Sequence, residues 1–401
     1  CGAHNRDGRF RRLGIAPMLK SLWIMEFLPP RNKATAGQAR VFSLVEQAHL
    51  NGGAADGRDI YDITIIGAGP TGLFAAFYAS LRGARTQAID ALEEVGGALT
   101  AIYPEKYIYD VIGFPRILAK DFVAACDEQA RRGDVDIHLK EAVLELERGD
   151  DGVIRLGTAR GVRWSRTVIV CAGVGAFEPK RVDVPGIADL EGRGVHYFAK
   201  RVEDFRDRDV VIVGGGDSAV DWAVTLEPIA RSVRVIHRSK FRAHEATVAQ
   251  LLDSTVQLHY PGCETVAVQA GPDGRLASLT FKNAAGEQTT VPADELIVAI
   301  GFVADLGPLK TWGFELQRNQ IVVDKITMAT NVPGVYAAGD VAWYPAKFKL
   351  IATGAAEAVT AVNHAVTHYD PKARLDAGHS TAIMEKREKE AAEPAKAGVA
   401  D

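Results

Sequence analysis

Two glycine-rich segments have the residue types and spacing to do chemistry. The first, Gly67-Ala68-Gly69-Pro70-Thr71-Gly72, follows the apolar, β-branched run Ile63-Thr64-Ile65-Ile66. A helix-compatible stretch from Leu73 to Leu81 comes next, and a second strand-like run, Thr86 to Ile89, ends in Asp90. Strand, glycine turn, helix, strand and terminal acid in this order are the signature of a dinucleotide site. Gly67 permits the tight turn, Gly69 has no Cβ to obstruct a pyrophosphate, and Gly72 lets the helix pack closely on the strand. The first amides of the helix, which include that of Thr71, have no partners within the helix and face the phosphates. Asp90 can accept hydrogen bonds from ribose hydroxyls.

The pattern occurs a second time. Val210 to Val213 lead into Gly214-Gly215-Gly216-Asp217-Ser218-Ala219, then a helix from about Val220 and a strand from Val233 to Ile236. Ala219 stands for the third glycine, an allowed variant. The spacing that reaches Asp90 in the first copy reaches His237 in the second, with Arg238 and Arg242 close behind. A carboxylate there would repel a 2′-phosphate, whereas guanidinium groups clamp it through charge-assisted hydrogen bonds. The first site therefore suits a free ribose, and the second, with Gly214, Gly216, Asp217, Ser218, Ala219, His237, Arg238 and Arg242, suits NADPH.

The elements that position these residues imply an α/β fold of two Rossmann-like units, each with helices over a largely parallel sheet. Glycine-ended strands at Thr167 to Gly173 and Glu295 to Gly301 resemble the domain crossings of two-dinucleotide-binding flavoproteins, and a helix is expected over Ala355 to His368. The expected layout is a discontinuous first domain over 60–177 and 296–380, with a second domain over 178–295 inserted. Residues 1–59 form an N-terminal extension and 381–401 a C-terminal segment with a charged tail. In the extension, Arg6, Arg9, Arg11 and Arg12 precede an apolar stretch interrupted by Lys20 and Glu26. A targeting segment has that order of basic and apolar parts, but the two charges favour a disordered extension or sequence upstream of a start at Met18 or Met25.

Composition narrows the function class. The 401 residues are 47% hydrophobic and 24% charged, with a formal net charge of −4. That balance argues against a nucleic-acid partner, whose binding domain would be basic. No apolar run approaches the roughly 20 residues needed to span a bilayer. The four cysteines (Cys1, Cys126, Cys171, Cys263) are far apart and form no Cys-x-x-Cys pair. This excludes a disulfide scaffold and a paired-cysteine zinc site, and it fits a reducing, cytoplasmic setting. No metal-ligand spacing is found.

Near the far end, Thr330 to Asp340 reads as a short apolar strand closing in Gly339-Asp340, which resembles the second FAD motif of two-dinucleotide-binding flavoproteins. From residue 60 to 370 the chain resembles bacterial thioredoxin reductase, but the positions of that family's redox Cys-x-x-Cys hold Phe198 and Arg201. What remains resembles the ferredoxin–NADP reductases of the thioredoxin-reductase-like type. The likeness rests on Gly96-Gly97 through Tyr103-Pro104-Glu105-Lys106-Tyr107 to Phe114-Pro115, on Gly216-Asp217-Ser218 through Asp221-Trp222, and on the tail His379-Ser380-Thr381.

The resemblance implies FAD held by Gly67, Gly69, Thr71, Gly72, Asp90, Gly97, Leu99, Tyr103, Asp340 and Thr381. It also implies Tyr103 stacked on one flavin face and His379 on the other, supplied across a homodimer, with Thr381 near N5. Ala98 stands where the family commonly has a larger polar residue. The implied reaction moves hydride from NADPH to flavin N5 and single electrons onward to ferredoxin or flavodoxin. The alternative is reduction of quinones or other small acceptors.

Overall fold

The structure, a computed structural model, describes residues 57–385 apart from 174 and 377. The expected N-terminal extension up to residue 56 and the tail from 386 lie outside the described residues.

The first unit opens with β1 (Ile60–Ile66), α1 (Pro70–Leu81) and β2 (Thr86–Ile89). Ile63, Ile65 and Ile66 are fully buried, as expected of a parallel strand covered on both faces. Pro70 begins α1, where its missing N–H costs no hydrogen bond. The short α2 (Ala98–Ile102), α3 (Ala119–Arg131) and β3 (Val135–His138) follow. Next comes an antiparallel run of β4 (Val143–Arg148), β5 (Ile154–Thr158) and β6 (Gly161–Val170). β6 returns parallel to β1, with Thr167 opposite Ile63, and the sheet order is β3-β2-β1-β6-β5-β4. The sheet is largely parallel, as expected, with an antiparallel addition of β4, β5 and the first half of β6. The turns that join them are too short for the crossover a parallel connection needs.

β7 (Ala176–Pro179) leads out of the first unit. The second unit comprises β8 (Val195–His196), β9 (Asp209–Val213), α4 (Asp217–Leu226), β10 (Ser232–Ile236), α5 (Glu245–Leu252) and β11 (Gln257–His259). It continues with β12 (Glu264–Ala270), β13 (Leu276–Lys282) and β14 (Gln288–Pro292), an antiparallel sheet of its own, and closes with β15 (Glu295–Val298). The five parallel strands are ordered β8-β15-β9-β10-β11. β15 pairs with β8 and β9, so the expected domain boundary at 295/296 would cut the second sheet. The crossing lies beyond it, in an antiparallel ribbon of β7 with β16 (Phe302–Asp305).

The chain then re-enters the first unit. β17 (Val335–Ala337) completes the sheet beside the second half of β6, and α6 (Ile351–Tyr369) packs against α1 and β6. α6 starts one turn before the expected Ala355, and α4 starts at Asp217 rather than Val220. The turn residues themselves supply the first helical turn in both cases. One core fills the space between this sheet, α1 and α6, with Ile63, Leu156, Ile169, Ala358 and Val362 at its centre. Each large aliphatic side chain so buried contributes roughly 1.5–3 kcal/mol.

A polar network also ties the first sheet together. Arg163 on β6 grips Glu141 bidentately at 2.8 Å through Nε and 2.8 Å through Nη2, and the Thr158 hydroxyl donates to the same carboxylate at 2.6 Å. Arg163 also donates to Gln87 on β2 at 3.2 Å, and Gln87 donates to Thr64 on β1 at 2.9 Å. Burial pushes the Glu141 carboxyl up, but Arg163 and Thr158 outweigh it and hold the group below its ordinary range. A carboxyl lowered in the fold stabilises above its unfolded pKa of about 4.3, and that contribution is lost as pH falls through the folded value. Glu141→Gln should therefore cost about 3 kcal/mol in urea unfolding at pH 7, the order expected for breaking a buried pair. The gap from wild type should shrink as pH falls from about 5 towards 3; a gap independent of pH would contradict the ionised pairing.

Candidate functional site

The three glycines of the first turn are required for different reasons. Gly67 has φ +107°, and a Cβ there would lie 2.5 Å from the Cys171 carbonyl oxygen. A Cβ on Gly72 would lie 1.8 Å from the Gly67 carbonyl oxygen. Gly69 differs: its backbone is extended, with φ −70° and ψ 179°, and a Cβ would meet nothing nearer than the Gly97 Cα at 4.0 Å. The protein's own packing thus demands Gly67 and Gly72, whereas only a molecule lying over the turn demands Gly69. Gly97, with φ +57°, forms the opposite wall, and the Gly96 amide donates to the Ala68 carbonyl at 2.8 Å. Leu99 lies half-buried just beyond, in α2. The α1 amides have no side-chain cap, so the cradle fits a dinucleotide pyrophosphate.

Asp90 is 2% exposed. One carboxylate oxygen accepts from the Ala68 amide at 2.6 Å and the other from the Leu92 amide at 2.8 Å. Burial raises its pKa against these two bonds. Its carboxylate braces the turn from below, and a ribose hydroxyl would have to share it.

The second motif meets the first at a tight junction. Gly339 has φ +78°, and a Cβ there would lie 3.0 Å from the Thr71 hydroxyl. A Cβ on Gly354, in the first turn of α6, would lie 2.3 Å from the same oxygen. Thr71, the Gly339-Asp340 turn and the uncapped N-terminus of α6 therefore converge. Asp340 is half-buried; burial raises its carboxyl, opposed by the charges of Lys349 and Lys347.

Tyr103 caps α2 at the boundary between the units. Burial pushes its hydroxyl up, and Ser218 of the second glycine motif sits against that hydroxyl and counters the shift. The Lys106 ammonium lies 5.6 Å from the Tyr103 ring centre and pairs with Asp221 on α4 at 2.8 Å. The start of α4 is thereby brought to the edge of the first cradle.

In the second turn, a Cβ on Gly214 would lie 2.2 Å from the Ala299 carbonyl oxygen, and Ala219 is buried beneath. Gly216 is the extended N-cap of α4. The basic loop is tethered to this turn twice, by the Arg242 amide to the Gly215 carbonyl at 2.8 Å and by the His244 amide to the Asp217 carboxylate at 2.9 Å. Arg238 and Arg242 are exposed, and among the described residues neither has a carboxylate partner. His237, a cofactor contact in the sequence expectation, turns its side chain into the loop. It is 7% exposed, and its Nε2 lies 3.2 Å from the Lys240 carbonyl and 3.1 Å from the Ser239 hydroxyl. Its ring lies so close under Gly215 that a Cβ there would be 2.2 Å away. His237 shapes the loop; burial first, then the Arg242 and Arg238 charges, lower its pKa.

At the positions matched to a redox cysteine pair, Phe198 stacks on Phe302 with ring centres 5.4 Å apart, and Arg201 pairs with Asp204 at 2.7 Å. Cys126, Cys171 and Cys263 are free, the last two are buried, and burial pushes the Cys126 thiol up to about 11. None of these three is poised as a thiolate nucleophile. Among the described residues no group of three metal-ligating side chains occurs. His379 and Thr381 are exposed in a C-terminal segment whose residues 380–385 are helical. Thr381 lines an apolar groove of about 760 Å³ with Phe74, Phe77, Ile112, Phe114 and Ile351. Pro70 of the first glycine turn and Ala352 in the first turn of α6 line it as well, whereas Tyr103 and Asp340 do not.

The family model for pyridine nucleotide-disulphide oxidoreductases matches residues 61–365, which, with the two glycine turns, defines a two-dinucleotide oxidoreductase. The chain is 45% identical over 332 residues to ferredoxin–NADP reductase 2 of Bacillus thuringiensis (strain Al Hakam), covering 82% of this chain and 99% of that one. It is 46% identical over 330 residues to ferredoxin–NADP reductase 2 of Bacillus pumilus (strain SAFR-032), covering 82% and 98%. Among solved structures, T. acidophilum thioredoxin reductase superposes with a TM-score of 0.64 at 24% identity, over 78% of this chain and 99% of that one. Lactococcus lactis thioredoxin reductase in its FR conformation gives a TM-score of 0.63 at 24% identity, over 77% and 98%. The chain belongs to the pyridine nucleotide-disulphide oxidoreductase family and, within it, groups with the ferredoxin–NADP reductases.

Two sets of substitutions separate cofactor contacts from packing. Gly69→Ala should leave the urea midpoint of the cofactor-free protein within about 0.5 kcal/mol of wild type while weakening FAD binding at least about tenfold. Gly72→Ala should instead destabilise the fold by roughly 3 kcal/mol through its backbone clash. Equal effects of the two on stability would contradict the assignment. Replacing Arg238 and Arg242 by Ala should raise the KM for NADPH at least about tenfold, given about 1.5–3 kcal/mol per charge-assisted bond. The KM for NADH should change little, and an equal rise for both nucleotides would remove the 2′-phosphate role.

Proposed function

We propose that this protein is an FAD-dependent oxidoreductase that passes electrons between NADPH and ferredoxin. The observation that carries the reading is the meeting of two dinucleotide cradles at Tyr103 and Ser218, without a cysteine pair at the positions matched to the redox dithiol. FAD, when bound, supplies the chemistry that a side chain cannot, taking hydride from a nicotinamide and releasing electrons singly to a one-electron carrier.

The chain's residues bind and orient. Gly69 and the α1 amides receive the FAD pyrophosphate, Asp340 and Thr71 its ribityl side, and Tyr103 one face of the ring. The uncapped N-terminus of α6 would offer positive partial charge to the bound flavin. Arg238 and Arg242 hold the 2′-phosphate of NADPH, while the Gly214–Gly216 turn and Ser218 receive its pyrophosphate. Holding the nicotinamide against the flavin is the protein's main contribution to hydride transfer.

In this reading the protein is a homodimer whose C-terminal segment covers the cradle of the second subunit with His379 and Thr381. The exposure of both residues supports that arrangement. Flavodoxin is an equivalent carrier, and the compartment is the reducing cytoplasm.

The test is anaerobic stopped-flow mixing of the purified yellow protein with NADPH, then with oxidised ferredoxin. Bleaching of the flavin band followed by reoxidation on the ferredoxin push supports the reading. Bleaching with reoxidation by a quinone but not by ferredoxin or flavodoxin would overturn it.

A further inference from the structure

The turn that presents Asp340 is held from behind by charge. Lys347 and Glu357 form an ion pair at 2.7 Å, with side chains only 5% and 4% exposed. Both converge on a single residue. The Gly339 amide donates to Glu357 Oε2 at 2.7 Å, and Lys347 Nζ donates to the Gly339 carbonyl at 2.6 Å. The Tyr344 hydroxyl donates to Glu357 Oε1 at 2.7 Å, so each carboxylate oxygen has a fixed donor. Gln320 then takes the next carbonyl, that of Asp340, at 2.7 Å. Asp340 is thus bracketed by backbone groups that cannot shift without breaking buried polar contacts.

Stability alone does not account for this arrangement. Burying two charges carries a desolvation cost that apolar side chains of similar volume avoid, and such replacement is often neutral or stabilising. What apolar residues cannot do is hold both the N–H and the C=O of one glycine at a positive φ. The pair also sits where α6 closes on Thr71, so a displaced Gly339 would move the second FAD motif relative to the first.

We propose that Lys347 and Glu357 are positioning residues for FAD, locking Gly339 and thereby setting where Asp340 presents its carboxylate. The proposal rests on the reading that Asp340 contacts FAD, and the experiment separates the two.

FAD affinity is measured on the deflavinated full chain by quenching of flavin fluorescence, alongside thermal melting of the same cofactor-free protein. The proteins are wild type, Asp340→Asn, the double variant K347M/E357Q and the triple combination. The double variant removes both charges together and leaves an acceptor for the Gly339 amide. The expected result is a Kd raised at least about tenfold by Asp340→Asn and by K347M/E357Q, with the double variant melting close to wild type. In the triple variant the Kd should stay within about threefold of that of Asp340→Asn, because residues acting through one another are not additive.

A wild-type Kd in K347M/E357Q, or effects that multiply fully in the triple variant, would overturn the proposal. A wild-type Kd in Asp340→Asn would instead remove the FAD reading of that residue. Should K347M/E357Q fail to fold, Lys347→Arg keeps the charge while moving the donor atom. A Kd raised at least about threefold with unchanged melting then supports positioning, and a wild-type Kd overturns it.

Discussion

The backbone of the first glycine turn lies closer to α1 than any side chain would permit, with a virtual Cβ on Gly72 only 1.8 Å from the Gly67 carbonyl oxygen. That approach sets the helix against β1, and its uncapped amides then open above Gly69. The junction of Thr71, Gly339 and Gly354 depends on it, because Thr71 rides on the same helix. So does the seat of α6. In the other unit Gly214 lies against the Ala299 carbonyl as Gly67 lies against that of Cys171. The Lys106–Asp221 pair then joins the two units, partly exposed and so adding little stability.

Much of this was legible in the sequence because the chemistry of a dinucleotide turn is local. Glycines at fixed offsets, a β-branched strand before them and an apolar helix after them all lie within about 30 residues. The basic loop after β10 was readable for the same reason. Three features were not. His237 occupies the position of the terminal acid, yet its side chain is buried under Gly215, because the loop folds back and hydrogen-bonds to the turn. The domain boundary moved past β15, since strand pairing, not composition, decides to which sheet a strand belongs. The Lys347–Glu357 pair has no periodic signature at all. A lysine and a glutamate ten residues apart ordinarily mark solvated surface, and only tertiary packing buries them.

The absence of a protein dithiol at the matched positions follows from substitution at a place the fold retains. Phe198 and Arg201 occupy the segment before β9, and their contacts are an aromatic stack and an exposed ion pair. The likeness to thioredoxin reductases is therefore one of architecture. The electron route in this account has one redox centre per chain, the flavin, between two soluble carriers.

An anaerobic reductive titration of the purified protein with NADPH tests that claim most directly. The account predicts complete bleaching of the flavin at about one NADPH per FAD, with no new thiols titratable in the unfolded, quenched protein. A requirement for about two NADPH per FAD, accompanied by the appearance of two thiols, would show a second, disulfide centre and contradict it.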